Sequence, residues 1–422
     1  MFARALTTFS QPTEGEVRSC LQYLLNLLSR ETGKSAVLAN PGVGLVWASV
    51  GPCRWAVAGG LSLCGPDPMP VRMVKRPSLQ QSARKPAAEV PSPLPAALIP
   101  CGILAGHSWR IRAVAIAPDG TWIASASSDK TVWIWSANDG LLHAKLSGHT
   151  DAVTCVAIGP CGSWVASGGS DRSLRLWSLP MAPRAVDDRC PLVIDAAHTR
   201  EVTSVAINST GTTLVSGSED KLVKLWHVES EDGGGKTCAL SLLLRGHTDS
   251  ISSVAVASTW LASASWDGTV RLWSTAGGDG GPFQVLEQHE TGVTALALSP
   301  AADLLASGSR DGTVFLWSVS SERGRCTPTV GLTCRIRAHT DKVASIAWAP
   351  RDGRWVATGG RDDHVRVHCA RTGAMLCEDK AHTDNVAGLA AGPDGRWLVS
   401  GAHDHTVRLW RLGSVVGAAA AS

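Results

Sequence analysis

Four side chains recur seven times along this chain of 422 residues, always in the same order. Each set contains His, then Ser or Thr, then Asp, and ends in Trp in six sets and in His in one. The Asp follows the hydroxyl residue by four positions and precedes the last ring by six in every set. A period of roughly 40–50 residues indicates a repeat architecture, in which neighbouring units stack and bury each other's apolar faces.

These sets are called quartets below, and only the sixth lacks the final Trp. In chain order they are His107, Ser125, Asp129 and Trp135; His149, Ser167, Asp171 and Trp177; His198, Ser216, Asp220 and Trp226; His247, Ser263, Asp267 and Trp273; His289, Ser307, Asp311 and Trp317; His339, Thr358, Asp362 and His368; His382, Ser400, Asp404 and Trp410.

Each repeat predicts four short antiparallel strands. In the first repeat an alternating strand over Ile111–Ala117 is followed by the turn sequence Pro118–Gly120. Strands over Trp122–Ser127, Thr131–Trp135 and Leu141–Leu146 follow, and the Asp of the quartet lies in the turn between the second and third. The chain is therefore predicted to be all-β, built from stacked four-stranded sheets.

The two ends of the repeat region complement each other. The last repeat ends at Trp410 and Leu412 and lacks a fourth strand, whereas a spare strand-like segment, Ala97–Leu104, precedes the first repeat. If this segment pairs with the third strand of the last repeat, the ring closes and no sheet edge remains unpaired.

The Gly-His pairs, the Ser-Ala-Ser or Ser-Gly-Ser segments before the Asp, and the Trp at the end of the third strand resemble the WD-repeat family. The resemblance covers about three-quarters of the chain, residues 97–412. It implies a seven-bladed β-propeller of four-stranded antiparallel blades, closed by an N-terminal strand. It also implies that in each quartet Asp accepts from His, His bonds the hydroxyl, and the hydroxyl oxygen accepts from the indole. A catalytic triad would not recur seven times, so no catalytic residues are predicted.

Residues 1–96 are predicted to be a largely disordered extension with one short helix. Glu16 follows Thr13 by three positions, as in a capping box, and leucines with helical spacing follow, which predicts an amphipathic helix over about 14–30. A linker rich in Pro and basic residues covers 65–96, and 413–422 are predicted to be a flexible tail. The uncharged stretch after Ser35 is broken by Asn40 and Pro41, so no membrane span is expected.

Charge and cysteine content narrow the function further. The extension contains ten Lys or Arg and five Asp or Glu, so it has a charge of +5, and the repeat region has −2. The near-neutral propeller is not expected to bind nucleic acid directly. The 12 Cys form no Cys-x-x-Cys pair, so no metal site is predicted. No cofactor and no small-molecule substrate are predicted either. We interpret the cysteines as reduced thiols, so the expected location is cytoplasmic or nuclear.

One arc of loop residues predicts a partner site. The residue directly before the quartet Asp is aromatic or basic in the fourth to seventh repeats, and two similar residues lie in the loop that opens the first repeat. These residues are Trp266, Arg310, Arg361, His403, Trp109 and Arg110. They suggest binding of an acidic or phosphorylated peptide, because guanidinium groups bind carboxylate and phosphate and Trp can anchor an interface. The alternative is that they are ordinary solvated loop residues.

The chain is therefore predicted to be a non-enzymatic scaffold that assembles other proteins. Two alternatives remain open: a substrate-recognition subunit of a ubiquitin ligase, and an RNA-processing or chromatin-associated subunit. No quartet Trp is followed by Asp, so the Trp-Asp-x-Arg box of one class of ligase receptors is missing. His368 in place of Trp also predicts that the sixth blade is the least stable locally.

Overall fold

A computed structural model describes residues 45–50, 53–58, 94–179, 192–230, 236–276, 281–320, 328–380 and 382–414. The chain divides into two compact units, Met1–Ala88 and Glu89–Ser422. The predicted helix over 14–30 and residues 415–422 of the predicted tail lie outside the described residues, as does nearly all of the predicted linker. The first two residues predicted as tail, 413–414, instead belong to the last strand. None of the described residues forms a helix that is long and apolar enough to cross a bilayer.

The described part of the first unit is a β-hairpin. Strand β1 (Leu45–Val50) pairs antiparallel with β2 (Cys53–Ala58), from Leu45 opposite Ala58 to Val50 opposite Cys53. The predictions from sequence include no strand in this region. The signal was nevertheless present, because two short runs rich in Val, Trp and Ala are separated by Gly51-Pro52, a typical turn dipeptide.

The second unit consists of seven four-stranded antiparallel sheets, which confirms the predicted seven-bladed propeller. Its first strand is β3 (Pro95–Ala105). Blade one contains β4 (Ile111–Ile116), β5 (Trp122–Ser127), β6 (Thr131–Ser136) and β7 (Leu142–Ser147). Blade two contains β8 (Val153–Ile158), β9 (Trp164–Gly169), β10 (Leu174–Ser178) and β11 (Leu192–Ile194). Blade three contains β12 (Val202–Ile207), β13 (Thr213–Ser218), β14 (Val223–Ser230) and β15 (Lys236–Leu244).

The remaining blades follow the same order from the centre outward. Blade four contains β16 (Ile251–Val256), β17 (Trp260–Ser265), β18 (Val270–Ser274) and β19 (Gln284–Leu286). Blade five contains β20 (Val293–Leu298), β21 (Leu304–Ser309), β22 (Thr313–Ser320) and β23 (Thr329–Arg337). Blade six contains β24 (Val343–Trp348), β25 (Trp355–Gly360), β26 (Val365–Cys369) and β27 (Met375–Asp379). Blade seven contains β28 (Val386–Ala391), β29 (Trp397–Ala402) and β30 (Thr406–Ser414).

Strand β3 completes blade seven and closes the ring, as predicted. It pairs antiparallel with β30, and the register places Leu98 opposite Leu412 and Leu104 opposite Val407. The pairing extends from Pro95 to Ser414, slightly beyond the segments expected from sequence. Closure by a strand from the other end of the repeat region satisfies the backbone groups that would otherwise form two open edges.

An apolar cluster fills each junction between neighbouring blades. In six junctions the quartet Trp of one blade packs against the preceding blade; Trp135 joins Val399 and Leu409 of blade seven, for example. The cluster between blades five and six contains no quartet ring and includes Trp348 of β24. Because a Trp side chain buries on the order of 200 Å², the smaller ring of His368 buries less aromatic area than the quartet Trp of the other six junctions.

Candidate functional site

The quartets form hydrogen-bond chains inside the blades. In all seven, His Nε2 lies 2.6–2.9 Å from the Ser or Thr oxygen. In six, His Nδ1 lies 2.7–2.9 Å from the Asp carboxylate. In the six that have Trp, the indole N–H donates to the Ser oxygen over 2.8–2.9 Å. A neutral imidazole that donates from Nδ1 to Asp and accepts the hydroxyl proton at Nε2 satisfies every member of the chain.

The quartet Asp also stabilises a strained turn. The residue after each Asp has a positive φ, and in five blades it is not glycine: Lys130, Arg172, Lys221, Asp363 and His405. The Asp accepts the backbone N–H two residues later, at 2.9–3.3 Å, in every blade. These bonds hold a backbone conformation that costs a residue with a side chain about 1 kcal/mol or more.

Hydrogen bonding lowers the pKa of the quartet carboxyls despite their burial. Burial by itself raises the pKa of Asp129, but the bonds from His107 and Thr131 bring it down to about 2. Burial likewise raises the pKa of Asp220, and His198 lowers it to about 2. The quartet hydroxyl groups of Ser are fully buried and the imidazoles are buried, so these groups do not face a site that a substrate could enter.

The fifth quartet is incomplete. Nδ1 of His289 is buried with no hydrogen-bond partner among the described residues, and Asp311 accepts instead from the N–H and hydroxyl of Thr313. Burial lowers the pKa of His289 to about 4 against the opposing charge of Asp311, and the charge of Arg335 adds a smaller lowering effect. The sequence around His289 differs from the other repeats at positions outside the quartet. Gln288 and Glu290 flank this His, where the other repeats have Gly or Ala before it and Ser or Thr after it.

The sixth quartet is altered at the ring. His368 is 2% exposed, and neither of its nitrogens has a hydrogen-bond partner of good geometry among the described residues, although the backbone of Gly373 is close enough to raise its pKa. Because the ring is not an indole, Thr358 receives no bond of the kind that the other six hydroxyls accept. Arg366 donates to Asp362 at 2.7 Å and to Glu378 at 2.9 Å, which adds two ion pairs to this blade. Burial first, then the charges of His339 and Arg366, lower the pKa of His368 to about 4.

A cavity of 850 Å³ opens at the mouth of the central channel and brings together most of the predicted partner residues. Arg110, Trp266, Arg361 and His403 line it. Arg310 stacks on the Trp266 ring with its guanidinium carbon 4.9 Å from the ring centroid. Trp109 is not among the described residues that line the cavity, but it is 59% exposed, and Trp266 is 43% exposed.

Two further cations, Arg112 and Lys342, were not among the residues predicted from sequence. Together with Arg310 and Arg361 they form the cation cluster. Arg112 lines the cavity at a position of the first strand where the other blades have Thr, Ser or Ala, and its Nε donates to Ser128 at 3.0 Å. Nζ of Lys342 lies 5.6 Å from the centroid of Trp266. Comparing the repeats at the start of the first strand, rather than at the Asp turn, would have identified both residues.

The electrostatics of this cation cluster favour an anion. Burial, then the charges of Arg310, Arg361 and Arg112, lower the pKa of Lys342, because its ammonium group is poorly hydrated and close to like charges. Burial and the same field lower the pKa of His403 to about 4, so this residue is neutral at neutral pH. His403 therefore contributes no positive charge to this mouth at pH 7, although its ring can exchange hydrogen bonds.

Acidic residues occupy another part of the same mouth. Glu201 and Glu219 of blade three line the cavity. Burial, partly offset by the hydrogen bond from Ser170 and reinforced by Glu219, raises the pKa of Glu201. In a ring of seven blades, blade three lies across from the junction of blades six and seven, so these two glutamates lie opposite most of the cations. Asp363 and Asp384 also line the cavity on the cationic side, and Asp341 lies 3.9 Å from Arg361.

Comparison with known proteins assigns a family to these repeats. The family model described as "WD domain, G-beta repeat" matches seven segments: 99–136, 140–178, 189–227, 237–274, 280–318, 331–369 and 373–411. Each segment ends at or just after the last member of a quartet.

Individual relatives match over shorter stretches. A 33-residue segment is 54% identical to "Probable cytosolic iron-sulfur protein assembly protein 1" of Botryotinia fuckeliana (strain B05.10) and covers 8% of each chain. A 146-residue stretch is 31% identical to "Nuclear distribution protein PAC1" of Yarrowia lipolytica (strain CLIB 122 / E 150), covering 30% of this chain and 31% of the relative. The chain therefore spans less than a third of the length of these curated relatives.

Proposed function

Because the chain belongs to the WD-repeat family, we propose that it is a non-enzymatic scaffold that captures an acidic or phosphorylated segment of another protein at its channel mouth. Propellers of this family bind other proteins, and the proposal extends this general role to one surface and one chemistry. The quartets are occupied with internal hydrogen bonds, and the channel mouth offers an exposed and highly charged surface instead.

The observation that carries the proposal is the cation cluster around Trp266. Arg310 and Lys342 both lie over this ring, and Arg361 and Arg112 line the same cavity. Like charges held this close repel one another, and an anionic group of the partner would relieve that repulsion. Arginine forks bind carboxylate and phosphate oxygens in pairs, so such a group would also be held in a defined orientation.

The acidic side of the mouth would determine the direction in which a partner segment binds. An anionic residue placed among Arg112, Arg310 and Lys342 would leave the opposite part of the segment near Glu201 and Glu219. A basic residue there would be attracted, whereas a second acidic residue would be repelled. The preferred partner is therefore a segment with an acidic or phosphorylated residue at one end and a basic residue at the other.

Direct binding of synthetic peptides to the full chain tests the proposal. The probes are one phosphoserine peptide with a basic end, its unphosphorylated form, and a form in which Lys replaces the phosphoserine. Arg310→Ala combined with Arg361→Ala should weaken binding of the phosphopeptide at least tenfold, since each charged contact contributes about 1.5–3 kcal/mol. Arg371→Ala combined with Arg396→Ala removes two exposed arginines elsewhere and should leave binding unchanged.

Equal binding by the Arg310/Arg361 variant and the wild type would refute the site, and equal binding of the Lys and phosphoserine peptides would refute the chemistry. Affinity capture with the full chain, followed by mass spectrometry, then identifies the natural partner. Recovery of cullin subunits would favour the role in a ubiquitin ligase, and recovery of spliceosomal or chromatin proteins the nuclear alternative. The relatives named above match too little of the chain to choose among these roles.

A further inference from the structure

Lys342 lies at the mouth of the central channel, directly before β24, and hydrogen bonds fix its backbone. Its carbonyl accepts the N–H of Arg361 at 2.9 Å, and its own N–H donates to the Asp341 carboxylate at 2.7 Å. Its side chain lines the cavity of 850 Å³, with Nζ 5.6 Å from the centroid of the Trp266 ring. A reagent that enters the cavity can therefore reach this amine.

Among the described residues, no carboxylate contacts the amine of Lys342. One oxygen of Asp341 accepts the backbone N–H, and the other lies 3.9 Å from Nε of Arg361. Asp363, which also lines the cavity, lies 3.9 Å from Nζ of Lys380. The positive charge of a protonated Lys342 would therefore have no ion-pair partner in this part of the chain.

Guanidinium groups lie near the amine instead. Arg310 shares the Trp266 ring with it, and its guanidinium carbon is 4.9 Å from the ring centroid. Arg361 and Arg112 line the same cavity. Burial first, and then these three like charges, favour the neutral amine and lower its pKa, while Asp341 opposes them with a smaller effect. The other ionisable groups that line the cavity are Arg110, His403, Asp363, Asp384, Glu201 and Glu219.

A neutral lysine amine is a nucleophile, because its lone pair is free, whereas an ammonium group has none. Desolvation and a neighbouring cation are the two ways in which proteins activate a lysine, and both act here. We propose that Lys342 is a site of acylation by anionic acyl donors of the acyl phosphate class. The guanidinium groups of Arg310 and Arg361 would bind the phosphate oxygens and so bring the acyl carbon toward Nζ.

The acyl transfer balances without a further reactant. Nζ of Lys342 attacks the carbonyl carbon, a C–N bond forms, and the bond between this carbon and the bridging phosphate oxygen breaks. The phosphate leaves with the electron pair of that bond and takes up the proton that the amine loses. The products are an N-acyl-lysine and monohydrogen phosphate. The amide is neutral and cannot be protonated near pH 7, so the cation cluster is reduced to its three arginines.

Incubation of the full chain with acetyl phosphate near neutral pH, without peptide, tests this inference, and mass spectrometry measures the rate of acetylation at each lysine. Lys145 is the matched control. It is exposed and also lies over an indole, 5.3 Å from the centroid of Trp133, but it belongs to an outer strand and not to the cation cluster. Lys342 should be acetylated about tenfold faster than Lys145. Inorganic phosphate, at constant ionic strength in chloride, should slow the reaction of Lys342 and leave that of Lys145 unchanged.

Arg310→Gln combined with Arg361→Gln removes two like charges and the groups that would bind the phosphate. Lys342 should react about tenfold more slowly in this variant. Arg371→Gln combined with Arg396→Gln changes two exposed arginines outside the cavity and should leave the rate unchanged. Circular dichroism checks that both variants fold, and competition by phosphate in the wild type does not depend on either of them.

Three results would overturn the inference: equal rates at Lys342 and Lys145, equal slowing of both lysines by phosphate, or a wild-type rate in a folded Arg310/Arg361 variant. Because no peptide is present, none of these results depends on the capture of a partner segment at the channel mouth. Failure of acylation would therefore leave the proposed function standing, and failure of peptide binding would leave the acylation of Lys342 standing.

Discussion

Removing the quartet carboxylate should destabilise the protein by very different amounts in two neighbouring blades. Asp267 of blade four and Asp311 of blade five lie in the same local sequence, Asp-Gly-Thr, and in the same turn. The following glycines, Gly268 and Gly312, have φ values of 83° and 81°. The backbone of the turn should therefore contribute equally to stability in both blades, and what differs is the set of hydrogen bonds that the carboxylate accepts.

These hydrogen bonds determine how much stability each substitution removes. Asp267 accepts from His247 at 2.8 Å, from the Thr248 N–H at 3.0 Å, and from both the N–H and hydroxyl of Thr269. Among the described residues, Asp311 accepts from the N–H and hydroxyl of Thr313, with a smaller contribution from the Ser309 hydroxyl, but it has neither the bond from the imidazole nor the one from the following N–H. Breaking a buried, charge-assisted network costs about 3–5 kcal/mol, so we expect this loss for Asp267→Ala. Losing only bonds within a turn should cost Asp311→Ala about 1–2 kcal/mol.

Equilibrium urea denaturation of the two variants, followed by Trp fluorescence, measures the difference. The free energy of unfolding should fall by about 2–3 kcal/mol more for Asp267→Ala than for Asp311→Ala, at an unchanged denaturant slope. Asp404→Ala, in the complete quartet of blade seven, should behave like the Asp267 variant. Equal losses at Asp267 and Asp311 would refute the argument that the bond from His to Asp is what distinguishes these blades.

Four further predictions concern stability. His368→Trp should raise the free energy of unfolding by about 2 kcal/mol, since the larger ring buries roughly 75 Å² more apolar area; a loss in urea denaturation would show that the junction cannot accept an indole. In the wild type the free energy of unfolding should fall between pH 6.5 and 4, because the pKa of His368 is lowered to about 4 in the folded state and the unfolded chain therefore binds the proton first. The same variant lacks this imidazole, so its stability should fall less over this range. An unchanged pH profile would contradict this. The free energy of unfolding should fall again as the pH decreases from about 4 to 2, because Asp129 and Asp220, whose pKa is lowered to about 2 in the folded state, become protonated there. Hydrogen exchange at neutral pH should find that the amides of blade six exchange fastest among the blades. If these amides were the most protected, the prediction would be wrong.

The fold could be predicted almost completely from the sequence, because it depends on a short-range pattern that occurs seven times. Each repeat specifies its own strands and turns, and repetition removes the ambiguity that a single copy would leave. Closure by β3 was also predictable, since pairing the spare strand with the last repeat gives that blade the same four strands as the others. The hairpin β1–β2 was missed because it occurs once, in a segment judged mainly by its composition.

The sites could be predicted less well, because they depend on which residues meet across blades. The arc from Trp266 to His403 was found from one repeat position, but Lys342 and Arg112 became part of it only when the ring brought different positions together. The neutral state of His403 likewise follows from burial and from cations on other blades. Sequence spacing contains no information on such distances or on local hydration.

The sequence by itself determined the number of blades, the order of their strands and the identity of the internal hydrogen-bond partners, because these are properties of each repeat. The tertiary structure decided which quartets are complete. The fifth quartet has every residue type of a normal one, yet His289 makes no bond to Asp311, and in the sixth quartet His368 leaves Thr358 without the bond that an indole would donate. The physical reason is that hydrogen bonds and electrostatic fields depend on positions within a few ångströms, and only the packing of one blade against the next sets those positions.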